Sequence, residues 1–168
     1  MNFDFIDVLR GNYDVKNVFF ENTTINIKVD ESGKENYLIW ISDSTKNNAV
    51  NFSLEKVTFN ALNFNYTNQL NEQCYSFYSA DLSLNGDFYK SNYSLSINGD
   101  IDVLNFTSNE VAYLKNKKAN LDLNLQVDLQ TMNYQFNNSS LFIEGMPFQI
   151  NGNYTLKEDP IINLNIIG

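Results

Sequence analysis

Histidine is absent from all 168 residues. That removes Ser-His-Asp and Cys-His catalysis, together with the commonest transition-metal ligand. A single cysteine, Cys74, allows no intrachain disulfide and no Cys-x-x-Cys metal pair. It lies between Gln73 and Tyr75 with no base or cation beside it to lower its pKa, and reads as an inert buried or edge thiol. Basic residues are few, 11 against 20 acidic ones. The resulting net charge of -9 argues against a nucleic-acid partner, because phosphate neutralisation needs clustered Lys and Arg. The only basic cluster, Lys115, Lys117 and Lys118, reads as a solvated turn. The same acidity disfavours electrostatic adsorption to anionic lipid headgroups, though not apolar contact with lipid. Long hydrophobic runs are missing too. A stretch such as Tyr37 to Ile41 falls far short of the ~20 residues of a membrane span, and the N-terminus has neither a basic region nor an apolar one behind it.

What is present favours strand. Aromatics reach 14%, with 13 Phe and 10 Tyr, and large flat side chains suit pleated surfaces. Asn is roughly one residue in six; with Ile, Lys, Phe and Tyr it is what an AT-rich genome encodes, so part of the composition carries no function. Apolar and polar residues alternate in Ile25/Ile27/Val29, Val50/Phe52/Leu54, Leu62/Phe64/Tyr66, Leu82/Leu84, Tyr93/Leu95/Ile97, Phe148/Ile150 and Ile162/Leu164/Ile166. The clearest run is Leu121, Leu123, Leu125, Val127 and Leu129, whose intervening Asp122, Asn124, Gln126 and Asp128 must point the other way. A strand of about ten residues spans ~30 Å, so the sheet is tall. Turn signals lie between these runs, at Asp30 to Lys34, Thr67 to Asn71, Asn85-Gly86, Asn98-Gly99, Asn137 to Ser139 and Asn151-Gly152. Connections this short predict antiparallel neighbours. Helix is confined to Ile6 to Leu9, closed by Gly11, and to Val111 to Leu114, where Thr107 and Glu110 resemble a capping box. The chain reads as a single all-β domain over residues 1–168 and, opening directly into the alternating Asn2-Phe3-Asp4-Phe5, as an excerpt of a longer protein.

A short pattern recurs in Leu84-Asn85-Gly86-Asp87-Phe88, Ile97-Asn98-Gly99-Asp100-Ile101 and Ile150-Asn151-Gly152-Asn153-Tyr154. Asn-Gly favours a hairpin, but alternation runs through each glycine, which suits a kink that curves a sheet equally well. The carboxylate pairs Asp100/Asp102 and Asp122/Asp128 share the polar face, where solvation keeps them ordinary acids rather than catalysts. In Asp30-Glu31-Ser32-Gly33-Lys34-Glu35-Asn36 the glycine falls at the fourth place instead of the sixth and Lys34 intrudes, so a turn is expected rather than a calcium loop. Sequons start at Asn22, Asn51, Asn65, Asn92, Asn105, Asn138 and Asn153; since positions i and i+2 share a strand face, alternation alone generates them. No enzyme activity, metal or cofactor is expected.

The order of Phe3-Asp4-Phe5, the turn Ile6 to Gly11, Tyr13-Asp14-Val15, Val18 to Asn22, Ile25 to Asp30 and Gly33 to Tyr37 resembles the AsmA-like proteins of Gram-negative envelopes, relatives of TamB. The later Leu-x-Gly-x-Phe steps look like that family's repeated strands. The resemblance implies a tall antiparallel sheet curled into an apolar-lined trough, the β-taco, in a periplasmic protein anchored in the inner membrane that moves phospholipid toward the outer membrane. The family's N-terminal transmembrane helix is not in this chain, which then corresponds to an internal segment. The expected lining is Leu121, Leu123, Leu125, Val127 and Leu129, with Phe148, Ile150, Leu95 and Ile97 on adjoining strands, and the expected partner is the phospholipid acyl chain. The alternative is a β-sandwich whose core these residues form, a binding or adhesion module contacting glycan or protein through Tyr and Asn on its polar face, such as Tyr66 and Tyr89.

Overall fold

Alternation becomes strand along almost the whole chain, and the strands outrun the motifs that announce them. The computed structural model describes residues 16–36, 54–88, 90–157 and 160–168, with the backbone of 12–13 and 51–52. The strands are β1 (Asn12–Tyr13), β2 (Asn17–Val29), β3 (Asn51–Phe52), β4 (Lys56–Asn68), β5 (Gln73–Gly86), β6 (Asn92–Ser108), β7 (Val111–Asp128), β8 (Asn133–Ile143), β9 (Met146–Thr155) and β10 (Ile161–Ile167). β2 and β4 to β10 form one eight-stranded, unclosed sheet in the order β10-β9-β8-β7-β6-β5-β4-β2. At 18 residues β7 spans about 60 Å at ~3.3 Å per residue, roughly twice the height expected from the Leu121 to Leu129 motif.

The antiparallel expectation holds for every pairing in this sheet except β2 with β4, which is parallel, so the sheet is mixed. Among the described residues, the chain after Val29 turns through residues 30–34 and meets β2 through the Val29–Glu35 bridge and the Asn36 bonds to Lys28 and Asn26, while the long partner of β2 is β4, which runs in the same direction. The short parallel pair β1–β3 keeps the same offset, Asn12 beside Asn51 as Asn17 is beside Lys56. All eight long strands lie in one sheet and each touches only its sheet neighbours. The two facing sheets of the sandwich alternative are therefore not what the described residues form.

The helix expected at Val111 to Leu114 is instead the start of β7. Asn109 and Glu110 both take left-handed backbone, φ +48° and +63°, and make a two-residue hairpin turn where the capping box was expected. Lys115, Lys117 and Lys118 accordingly stand in a strand and not in a turn. The Ile6 to Leu9 helix lies outside the described residues, as do Tyr37 to Val50. Asn98-Gly99 and Asn151-Gly152 are interior to β6 and β9, so the kink reading prevails there, while Asn85-Gly86 ends β5 before a loop. At Gly152, φ +124° and the nearness of the Asn163 carbonyl leave no room for a Cβ. Asn137 to Ser139 is a bulge within β8 rather than a turn.

These irregularities serve one purpose. In β4, Val57 and Phe59 precede Leu62, Phe64 and Tyr66 by an odd step, which would put the two sets on opposite sides of a regular strand. Ala61, at φ +57°, resets the phase, and Asn22 in β2, Asn116 in β7 and Asn138 in β8 adopt the same conformation. After each reset the apolar residues return to one face. Phe59, Leu62 and Leu82 form the buried centre, with Ile25, Val57, Phe64, Phe77, Leu84, Ile97 and Leu121 packed against it.

Candidate functional site

Directly paired residues project to the same side of a sheet, so register identifies each face. Leu95 pairs with Leu125, and Ile97 with Leu123; Leu121 pairs with Leu141, which pairs with Phe148; Ile150 pairs with Ser139 on one side and Ile166 on the other. Leu121, Leu123, Leu125, Val127, Leu95, Ile97, Phe148 and Ile150 thus share one apolar face. Val127 is its most enclosed member at 1% exposure. Leu129 is the exception, because β7 stops at Asp128 and Leu129 opens the following turn, its amide donating to the Ser91 carbonyl.

The face extends well beyond the expected lining. Through β4 and β5 it continues with Leu62, Phe64 and Tyr66 paired to Ser79, Phe77 and Tyr75. Near the turns joining β4 to β5 and β6 to β7, rings form a row: Tyr66 stacks on Tyr75 at 5.4 Å, Tyr75 on Phe106 at 4.6 Å, and Phe106 meets the edge of Tyr113 at 6.2 Å. Burial, and then the neighbouring Tyr66 hydroxyl, push the Tyr75 phenol above its ordinary value. At the opposite end Phe88 leans on Tyr93 at 5.7 Å and Tyr134 on Tyr154 at 6.1 Å. The Tyr93 phenol is raised, first by burial and then by nearby Tyr134. The apolar surface is therefore bordered by aromatics at both ends of the strands. This row was hidden in the sequence because its members come from four strands, and only register brings them together. Tyr66 lies in it, not on the polar face where the adhesion alternative placed it; Tyr89 lies outside the described residues.

The other face is a polar ladder. Asn65 donates to the Asn26 side chain at 3.0 Å, Asn98 to Asp122 at 2.8 Å, Asn120 to Asp100 at 2.8 Å, and Lys118 Nζ to Asp102 at 2.8 Å. That last bond, and the charge behind it, raise the Lys118 pKa. Asp100, Asp102 and Asp122 are thus accepting hydrogen bonds on a wetted surface. A shallow cleft of about 400 Å³ lies here, between Asp100, Asp102, Lys118 and Phe142. Asp30 spends its carboxylate on its own turn, accepting from the Ser32 hydroxyl at 2.6 Å and amide at 2.9 Å and from the Lys34 amide at 2.9 Å. Among the described residues no three of Cys, Asp and Glu converge as a metal site would need. Compared with protein-family models, with curated proteins and with solved structures, the chain finds no match. The physical asymmetry between its two faces is therefore what a function has to be argued from.

Proposed function

We propose that this chain is a non-catalytic segment of a periplasmic lipid-transfer protein of the AsmA-like kind, which holds phospholipid acyl chains along the apolar face of a curled sheet. The remainder of such a protein anchors it in the inner membrane. The observation that carries the reading is a tall sheet with one continuous apolar face, against which no described strand or helix packs. Such a face needs a second layer, and acyl chains can supply one. Bulges between β5 and β6, β6 and β7, β7 and β8, and β8 and β9, added to the ordinary strand twist, support a curl that would enclose chains lengthwise.

Energetics suit a conduit. Each CH₂ gains ~0.8 kcal/mol on leaving water for such a face and roughly nothing on leaving a bilayer, so lipid moves along it with little bias. The aromatic borders at both ends suit the interface between apolar chains and polar surroundings, where Tyr is favourable.

The test is lipid mass spectrometry on protein purified from a lipid-rich host. Phospholipid should accompany the wild type, be lost from Leu125→Asp and persist in Gln149→Asp, whose side chain lies on the polar face. Folded protein free of lipid would overturn the reading. So would Leu125→Asp that simply unfolds, since that residue would then belong to a closed core.

A further inference from the structure

Charge is confined to one side of the sheet with a single exception. Along β2 and β4 to β10, register places every charged residue on the polar face except Lys117. Lys117 pairs with Val103, Val103 with Phe77, and Phe77 with Phe64, all on the apolar face. Counting down β7 gives the same answer, since Lys117 follows Val127, Leu125, Leu123, Leu121 and Ala119 at even steps. Asn116, at φ +52°, then shifts the phase, so that the next residue on this face is Leu114, the partner of Phe106.

The neighbouring charges are engaged elsewhere. Lys118 is bonded to Asp102 on the other face, and Glu144, the acid in the adjoining β8–β9 turn, accepts from the Lys118 amide at 2.7 Å. Among the described residues Lys117 makes no ion pair, and it is exposed. A lysine at the border of an apolar surface lays its methylene stem along that surface and keeps its ammonium in the polar surroundings. Tyrosine behaves alike, with an apolar ring and a polar tip. Lys117 stands next to the row of Tyr66, Tyr75, Phe106 and Tyr113, so this border combines aromatic rings with one cation. The opposite border has Tyr93, Tyr134 and Tyr154 but no cation on this face of its strands. The two ends are chemically unequal.

We infer that Lys117 is the headgroup site of the apolar face: its ammonium takes the phosphate of a phospholipid whose acyl chains run from there along Leu121, Leu123, Leu125 and Val127. The inference rests on the transfer reading and adds an orientation to it. Lysine meets phosphate as a point charge, without the bidentate geometry of arginine, which suits a ligand that must arrive and leave. From Lys117 to Val127 the strand rises about 33 Å at ~3.3 Å per residue, whereas one leaflet's acyl layer is ~15 Å deep, half of a ~30 Å hydrocarbon core, so the tails fit between the two aromatic borders.

The test is native mass spectrometry of the full chain with dioctanoyl phosphatidylglycerol and dioctanoyl glycerol, equal in tails and differing in the phosphate headgroup. The phospholipid should be preferred by about tenfold, the order of one charge-assisted hydrogen bond. Lys117→Met, which keeps an unbranched apolar stem, should abolish that preference by weakening the phospholipid alone, and Lys117→Arg should retain it. Lys115→Met, which removes the same charge from the polar face, should leave it intact. Equal binding of the two lipids by the wild type, or a preference that survives in Lys117→Met, would overturn the inference while leaving the transfer reading in place. Loss of the preference in Lys115→Met as well would assign it to net charge and overturn the site. Binding of neither lipid would overturn both readings.

Discussion

Ser139 has no exposed surface and sits in the β8 bulge, where its hydroxyl accepts from the Asn124 amide at 2.9 Å and donates to the Asn124 carbonyl at 3.1 Å. Ser79, 1% exposed, donates to the Asp100 carbonyl at 2.6 Å beside the β5 bulge. Each hydroxyl occupies backbone groups that a bulge has taken out of the ladder, which explains two small polar residues among the most buried in the sheet. Ser139→Ala should cost about 1–3 kcal/mol in urea unfolding, because both Asn124 groups lose their partner away from water. Asp128 makes a different single-residue contribution. The Thr131 hydroxyl, then the Gln130 and Thr131 amides, hold its carboxyl below the ordinary 3.8. A depressed folded pKa means stability that is present above the unfolded value and lost as pH falls through the folded one, so the loss lies below about pH 4. Asp30 works in the same direction, through the Ser32 hydroxyl first and the Lys34 amide second. Asp128→Asn should therefore flatten the acid limb of the urea midpoint against pH, and a limb as steep as wild type would mean that the carboxylate is not favoured by folding.

At the scale of the element, the β6–β7 hairpin tests the fold by the sign of one substitution. Glu110 holds φ +63° in its turn, a conformation that costs an L-residue about 1–2 kcal/mol and glycine little. Glu110→Gly should therefore stabilise, by about 0.5–1 kcal/mol in denaturant midpoints, whereas a glycine inside a short helix would destabilise. Thr107 and Glu110 carried the letters of a capping box, and nothing local told them apart from a strand end and a turn; the arbiter was pairing with residues far along the chain. Strand type was legible because strict alternation such as Leu121 to Val127 has no other use. Strand length was not. Ala61 and Asn22 shift the alternation by one residue, and a sequence scan reads each shift as a break where the backbone continues. The site was half legible for the same reason. The β7 leucines announce their face, but the row of Tyr66, Tyr75, Phe106 and Tyr113 exists only once register is known.

For the whole molecule, the decisive property is that each strand touches only its neighbours in the sheet, with no second described layer to tie distant strands together. Stability is then a sum of strand-pair terms along one dimension, as in repeat proteins, and the sheet should fray from its edges rather than melt at once. The seven-residue β10 is the shortest strand of the main sheet and, among the described residues, pairs with β9 alone. The contact between them passes through Gly152, where any side chain would meet the Asn163 carbonyl. Gly152→Ala should therefore detach β10 and loosen β9 while leaving the Phe59, Leu62 and Leu82 centre in place. Hydrogen exchange read by mass spectrometry should show protection falling from β5 and β6 toward β10 in the wild type, and in Gly152→Ala the loss should stop before β6. Equal loss in β4 would mean that the sheet unfolds as one cooperative unit, and that some further layer, such as a bound apolar ligand, couples strands that do not touch.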